Sequence, residues 1–317
     1  MPRIAVLLPC RNEESTVGAV VRGFRNALGP DVSVYVYDND SQDGTAANAA
    51  AAGAILRHEP SRGKGNVVRR MFADVDADIY VMADGDQTYD PADAPRLVAM
   101  LLDRHLDMAV ATRVLEPPSG SAAAPAFPRG HRFGNREITR AIRLLFGPGC
   151  TDALSGYRAF SRRFVKSFPA STSGFEIETE LTIHALDLGL PCAEMPSAYA
   201  PRPSGSHSKL RRMPDGLRIA WAILNLLRHN RPLMFFGSLG AMLAALAVAL
   251  ALPLFVTYAH TGLVPRLPTA VLCTGLMLLA FQSLAAGFIL DTLVRARREA
   301  KRLAYLALPR LQDRVAP

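Results

Sequence analysis

Asp84-Gly85-Asp86 closes a short apolar run, Ile79 to Met82. Two carboxylates with one glycine between them can reach the same hard divalent ion and share it with a diphosphate. Mg²⁺ or Mn²⁺ bound by Asp84 and Asp86 would stabilise charge on a departing phosphate oxygen. Acidic pairs are frequent in loops, and it is the position at the end of an apolar run that singles this one out. Asp38, Asn39 and Asp40 end another apolar run. Such a cluster suits a base or ribose, or only an Asx turn. Arg62-Gly63-Lys64-Gly65 brings positive charge and backbone N–H groups to a helix start, which suits a phosphate and equally an ordinary cap.

Basic residues gather in two further places. Arg132, Arg136, Arg140 and Arg143 recur at helical spacing, with Ile138, Ile142 and Leu145 on an apolar face of the same helix. This is either a solvated face or a cationic track toward anionic lipid or an anionic acceptor. Arg202, His207, Lys209, Arg211 and Arg212 form the second cluster. Glu176, Glu178 and Glu180 lie in GFEIETEL, where Glu176 and Glu180 share a helix face and either a base or a capping role is open. Cys10, Cys150, Cys192 and Cys273 are scattered without metal or disulfide spacing and read as buried free thiols in a reducing compartment.

These groups need a frame. Strand patterns at Ile4–Pro9, Val32–Tyr37, Ala54–Arg57, Ile79–Met82 and Met108–Ala111 alternate with helical patterns at Glu13–Leu28, Thr45–Ala52, Gly63–Asp76 and Pro91–Arg104. That alternation predicts an α/β domain with a mostly parallel sheet and helices on both faces. Ligands bind such sheets at the carboxyl ends of the strands, so the polar clusters are expected along one edge. Residues 115–130 are rich in Pro, Ala and Gly and read as a loop over substrate or a plain insertion.

Charge almost stops after Arg231: up to Asp291 the only formal charge is Arg266. Leu233–Val256 and Leu267–Leu290 are each long enough, at about 1.5 Å per residue, to cross a bilayer core of about 30 Å. Arginines and a lysine flank both outer ends, which predicts that both ends are cytoplasmic and the turn external. Residues 215–229 show a narrow polar stripe (Asp215, Arg218, Asn225, His229) and Trp221, as in a helix lying in the membrane interface. The expected organisation is therefore a catalytic domain over 1–212, an interfacial helix over 213–231, a membrane hairpin over 232–291 and a basic cytoplasmic tail over 292–317. The net charge of +8 raises nucleic-acid binding. The placement of the basic residues beside apolar segments, with no zinc-finger or RNP-type motif, argues against it.

The order LLPCRNEES, VYDNDSQDGT, RGKGNVVRRMF, DIYVMADGDQTYDP, DALSGYRAF, GFEIETEL and SHSKL resembles the family 2 glycosyltransferases, especially the polyprenyl-phosphate sugar synthases, over about residues 3–231. The resemblance implies a glycosyltransferase-A, Rossmann-like fold and inverting, metal-dependent transfer of a hexose from a UDP- or GDP-sugar to undecaprenyl or dolichyl phosphate. It implies that Pro9, Arg11 and Glu13 line the nucleotide pocket with Asp38; Asn39, Lys64 and Gly85 are expected donor contacts from their place in the polar clusters. Asp84, Asp86, Arg113 and Asp152 are the implied catalytic residues. Ser155, Gly156, Arg158 and Lys209 are the implied acceptor contacts, and the two basic clusters add Arg132, Arg136 and Arg202 as expected acceptor contacts.

Three features depart from the family pattern. Thr88 stands where a Gln is common, Asn39 where a second Asp is common, and no Gln-x-x-Arg-Trp motif exists, which argues against processive polysaccharide synthesis. A prenyl phosphate would need no strong base, being largely ionised with a second pKa of about 6. A sugar hydroxyl would need one, with Glu178 or Asp152 as candidates. Transfer to a non-phosphorylated lipid or surface glycan, and a catalytically silent membrane scaffold, are the alternatives. A single hairpin offers too few helices for transport, while a homo-oligomer stays open.

Overall fold

The structure, a computed structural model, describes residues 2–114, 129–174, 176–201 and 215–310. They form two compact units, one of Met1–Gly216 with Ala300–Pro317 and one of Leu217–Glu299.

The first unit is built on a seven-stranded sheet. Its strands are β1 (Ile4–Cys10), β2 (Ser33–Asp38), β3 (Ile55–His58), β4 (Ile79–Met82), β5 (Met108–Val114), β6 (Arg158–Ser161) and β7 (Cys192–Ala198). The spatial order is β3-β2-β1-β4-β6-β5-β7, and only β6 runs antiparallel to its neighbours. Because successive side chains point to opposite faces, β1 feeds both halves of the core. Val6 and Leu8 pack with Val20 and Phe24 of α1 (Val17–Leu28) and Leu97 and Leu101 of α4 (Ala94–Asp103). Ala5 and Leu7 pack on the other face with Met71 and Phe72 of α3 (Lys64–Asp74) and Leu181 of α7 (Ile177–Leu188). Both faces are thus covered, as the near-continuous apolar strands require.

Several boundaries differ from those read in the sequence. The helix expected from Glu13 begins at Val17, because the preceding turn is tied elsewhere: Glu13 N donates to Thr45 Oγ1 at 2.7 Å and Thr16 Oγ1 to the Gly85 carbonyl at 2.7 Å. The helix expected from Pro91 opens as a 3-10 turn, where Asp90 Oδ1 accepts from Ala92 N at 2.9 Å. β5 runs on to Val114 because β7 pairs with it along its whole length. β6 and β7 lie outside the strand patterns of the sequence. The inserted Arg129–Phe146 helix, α5, buries Ile142 and exposes Arg136, Arg140 and Arg143. Residues 115–128 of the expected loop lie outside the described residues. Tyr305 belongs to the first unit, where its hydroxyl donates to Asp107 Oδ2 at 2.7 Å and the Arg163 guanidinium lies 3.9 Å over its ring.

In the second unit, α9 (Pro232–Thr261) and α10 (Leu267–Leu306) are long and apolar enough to cross a membrane. The turn between them is short, and small residues let the helices approach. A Cβ on Gly240 would stand 2.9 Å from the Ala280 carbonyl oxygen, and Ser283 Oγ donates to Phe236 O at 2.8 Å. Phe255, Phe281 and Ile289 remain exposed, leaving an apolar surface that water would not favour. α10 continues as helix through much of the segment expected to be a tail. α8 (Asp215–Asn230) carries the exposed Trp221 and Leu224.

Candidate functional site

The carboxyl ends of β1, β2 and β4 line one edge of the sheet, with Cys10 in register with Asp38 and Leu7 with Met82. Asp84, Gly85 and Asp86 follow β4 at that edge. Gly85 packs against β1 so closely that a Cβ would collide with Cys10 Sγ. Asp86 is 2% exposed, and its Oδ1 accepts from Thr88 N at 3.2 Å and Thr88 Oγ1 at 2.7 Å. Thr88, which stands in the position of a common Gln, therefore orients Asp86. Among the described residues no group of three His, Cys, Asp or Glu side chains could hold a metal. Two carboxylates fit Mg²⁺ or Mn²⁺ nonetheless, since Mg²⁺ is commonly held by one or two carboxylates plus substrate phosphates and waters.

Lys64 opens α3 after a tight turn. Gly63 has φ +126, a conformation that costs a residue with a Cβ, and a Cβ on Gly65 would collide with the Thr172 carbonyl. The Lys64 ammonium lies 2.5 Å from Asp84 Oδ1 and 2.5 Å from Glu178 Oε1. Burial opposes its charge, but these carboxylates outweigh burial and hold Lys64 above the ordinary lysine range. Glu178 Oε2 is buried without a hydrogen-bond partner. A Cβ on Gly156 would fall 2.8 Å from Asp84 Oδ2 and 3.3 Å from Lys64 Nζ, so this glycine leaves room for the pair.

Asp38 and Asn39 do different work. Asn39 Oδ1 accepts from Gly63 N at 2.8 Å, and its Nδ2 donates to the Glu59 and Ser61 carbonyls at 2.8 and 2.9 Å. It thereby shapes the loop that carries Lys64. Asp38 Oδ2 lies 3.5 Å from His58 Nδ1, while Oδ1 is buried with no partner. An orphaned acceptor of this kind suits a base N–H or a ribose hydroxyl. Pro9 and Arg11 are half-buried and Glu13 is buried on the neighbouring strand end.

Arg113 at the end of β5 clamps Asp152. Its charge is held above the ordinary arginine range: burial opposes it, while the Asp152 hydrogen bonds and charge outweigh burial. Glu194 of β7 fixes the Asp152 loop, accepting from Thr151 N at 2.8 Å and from the Thr151 hydroxyl. The Arg113 guanidinium lies 5.7 Å from the Tyr199 ring centroid, and Tyr199 packs on Tyr89. Tyr89 OH accepts from Gly156 N at 2.9 Å. Burial keeps this phenol above its usual range. Neither Tyr89 nor Tyr199 is singled out by the sequence, although Tyr89 stands three residues after Asp86.

The expected acceptor contacts divide. Gly156 lies beside Asp84 and Lys64. Ser155 is buried, its Oγ donating to the Ala111 carbonyl at 2.6 Å. Arg158, expected to touch acceptor, is 0% exposed and donates to the Ser155 and Ala153 carbonyls at 2.8 and 2.9 Å. It braces the loop from inside the core, since a guanidinium fully withdrawn from solvent must spend its donors on the protein. Glu180, a possible base, instead accepts from Ser171 N and Thr172 N at 2.9 and 3.0 Å. Arg136 stands exposed on α5, where Arg132 also lies. Arg202 and Lys209 lie outside the described residues.

The open, mostly parallel sheet has the glycosyltransferase-A fold, with the acidic pair, Lys64 and Arg113 at the carboxyl ends of its strands. Residues 5–168 match Glycosyl transferase family 2, and the chain belongs to that family of nucleotide-sugar-dependent enzymes. It is 33% identical to Glycosyltransferase AglJ of Haloferax volcanii over 93% of this chain and 95% of that protein. It is 31% identical to the low-salt glycan biosynthesis hexosyltransferase Agl6 of the same organism, over 78% of this chain and 58% of that one. Glucosyl-3-phosphoglycerate synthase from Mycobacterium tuberculosis, solved with Mn²⁺, UDP-glucose and phosphoglyceric acid, superposes with a TM-score of 0.56. That match has 27% identity and covers 71% of this chain and 79% of that one.

Proposed function

We propose that this enzyme transfers a hexose, with inversion, from a UDP- or GDP-sugar to polyprenyl phosphate at the cytoplasmic face of a membrane. The observation that carries this reading is the state of the carboxylates. Asp152 is clamped by Arg113, and Glu178 is paired with Lys64. Neither is placed to take a proton from a neutral hydroxyl. A phosphate monoester, already ionised near pH 7, asks for no such base. The structural neighbour solved with phosphoglyceric acid likewise pairs a nucleotide sugar with a phosphorylated partner.

Asp84 and Asp86 would hold Mg²⁺ or Mn²⁺, which supplies charge neutralisation at the leaving nucleoside diphosphate. Lys64 adds a second positive charge beside that position. Asp38 presents its orphaned oxygen to the nucleoside. Arg113, with Arg132, Arg136, Arg202 and Lys209, offsets the repulsion between two anionic substrates. The apolar pair α9 and α10 crosses the membrane, and α8 lies at its surface, where the prenyl chain resides. Both chain ends face the cytoplasm, following the flanking basic residues.

The test is product formation. Purified protein in detergent, with Mg²⁺ or Mn²⁺, is incubated with a panel of UDP- and GDP-sugars and polyprenyl phosphate. A sugar phospholipid is the expected product. Transfer only to a neutral lipid or glycan would replace the acceptor assignment, and no transfer from any donor would favour the silent scaffold.

A further inference from the structure

Lys64 is shared by two carboxylates of unlike duty. Asp84 is half of the acidic pair, whereas Glu178 sits on the first turn of α7 and reaches the site from the other side of Lys64. Lys64 and Glu178 are both deeply buried, with side chains 10% and 7% exposed. An ammonium has three donors, and two already point at these carboxylates. Glu178 Oε2 is a buried acceptor with no hydrogen-bond partner. Leaving a carboxylate oxygen so placed is costly unless another arrangement uses it.

We propose that Glu178 is a positioning residue that lets Lys64 change partners. Lys64 gives up Asp84 Oδ1 when that oxygen is claimed by a divalent cation, and takes Glu178 Oε2 as its replacement partner. A divalent cation on Asp84 and the Lys64 ammonium 2.5 Å from the same carboxylate would repel each other, and Lys64 is too buried for water to screen it well. Without Glu178, Lys64 would stay on Asp84 and oppose metal binding, or be left buried and unpaired. With Glu178, its charge remains neutralised beside the acidic pair. Gly156 leaves the room for this exchange, since a Cβ there would crowd both Asp84 Oδ2 and Lys64 Nζ. Glu178 acts through Lys64 and touches no reacting atom.

This inference rests on the proposed metal site, and the experiment separates the two. Full-length protein in detergent with UDP is titrated with Mn²⁺, and free Mn²⁺ is followed by its paramagnetic resonance signal. Glu178→Gln is expected to weaken Mn²⁺ uptake about tenfold, one interaction's worth. Lys64→Met is expected to tighten uptake, and adding Glu178→Gln to it should change nothing further. Lys64→Gln serves the same cycle if Lys64→Met does not accumulate folded. In turnover assays, saturating Mn²⁺ should restore kcat of Glu178→Gln to within about twofold, which damage to the fold would not permit. Unchanged uptake in Glu178→Gln overturns the proposal. So does an equal weakening with and without Lys64, which would mean that Glu178 acts by its own field. If the wild-type chain takes up no Mn²⁺ with UDP and none with GDP, the metal assignment fails and this inference fails with it.

Discussion

Arg113 meets Asp152 through two parallel hydrogen bonds, Nε to Oδ2 at 2.8 Å and Nη2 to Oδ1 at 2.7 Å. This fork joins β5 to the loop before β6, and both partners are largely buried. Its geometry is specific to a planar guanidinium. Removing one partner leaves the other charge buried and alone. Arg113→Ala should therefore lose about 3 kcal/mol of stability, read from denaturant unfolding of the solubilised protein. Arg113→Lys should keep the charge and still lose activity, because an ammonium cannot supply the fork.

Asp86 is oriented by Thr88 through the 2.7 Å hydroxyl bond. Asp86→Asn should abolish Mn²⁺-dependent turnover, and normal turnover in that variant would remove the metal assignment. Thr88→Val, which keeps the shape without the hydroxyl, should raise the Mn²⁺ concentration for half-maximal rate several-fold while leaving a measurable kcat. About 1 kcal/mol for one hydrogen bond sets that scale.

Gly156 leaves room for Asp84 and Lys64, and a Cβ there would stand 2.8 Å from Asp84 Oδ2. Gly156→Ala should displace the Asp84 carboxylate by a few tenths of an ångström to about 1 Å. Steady-state assays should show kcat/KM lower by up to about a hundredfold, since misplacement of that size disrupts an aligned site. An unchanged kcat/KM would show that Asp84 tolerates being moved.

His184 gives the fold a pH dependence outside the site. Burial, with a smaller contribution from Lys301, lowers its pKa to about 3. Its ring lies against Phe164 and Phe168. The folded chain keeps this imidazole neutral, while the unfolded chain protonates it below about 6.5. Its stability contribution is intact above that pH and is lost as pH falls toward 3, with a slope approaching about 1.4 kcal/mol per pH unit. Unfolding measured between pH 7 and 4 should show a shallower decline for His184→Phe than for the wild type.

The orientation of the hairpin is open to direct test. A cysteine at Leu263, in the exposed turn between α9 and α10, should react with a membrane-impermeant maleimide added outside intact cells, in a Cys273→Ser background. A cysteine at Leu308 should react only after the cells are opened. The reverse pattern would place the catalytic unit outside.

The sequence alone settled whatever depends on near neighbours. Strand and helix periods gave the α/β frame, the position of Asp84 and Asp86 at a strand end, and two long apolar helices, because each signal lies within one element or its flank. It left open what a polar residue meets across the fold. Asp152, by sequence one of two candidate bases for a hydroxyl acceptor, is clamped by Arg113, and Arg158, an expected acceptor contact, lies inside the core. Lys64 reads equally as a phosphate ligand or part of an ordinary cap, and nothing near it in the sequence shows that Glu178 shares it. β6 entered antiparallel between β4 and β5 from far along the chain. Charge pairing and burial depend on distances that only chain folding sets, and periodicity along the backbone carries no information about them.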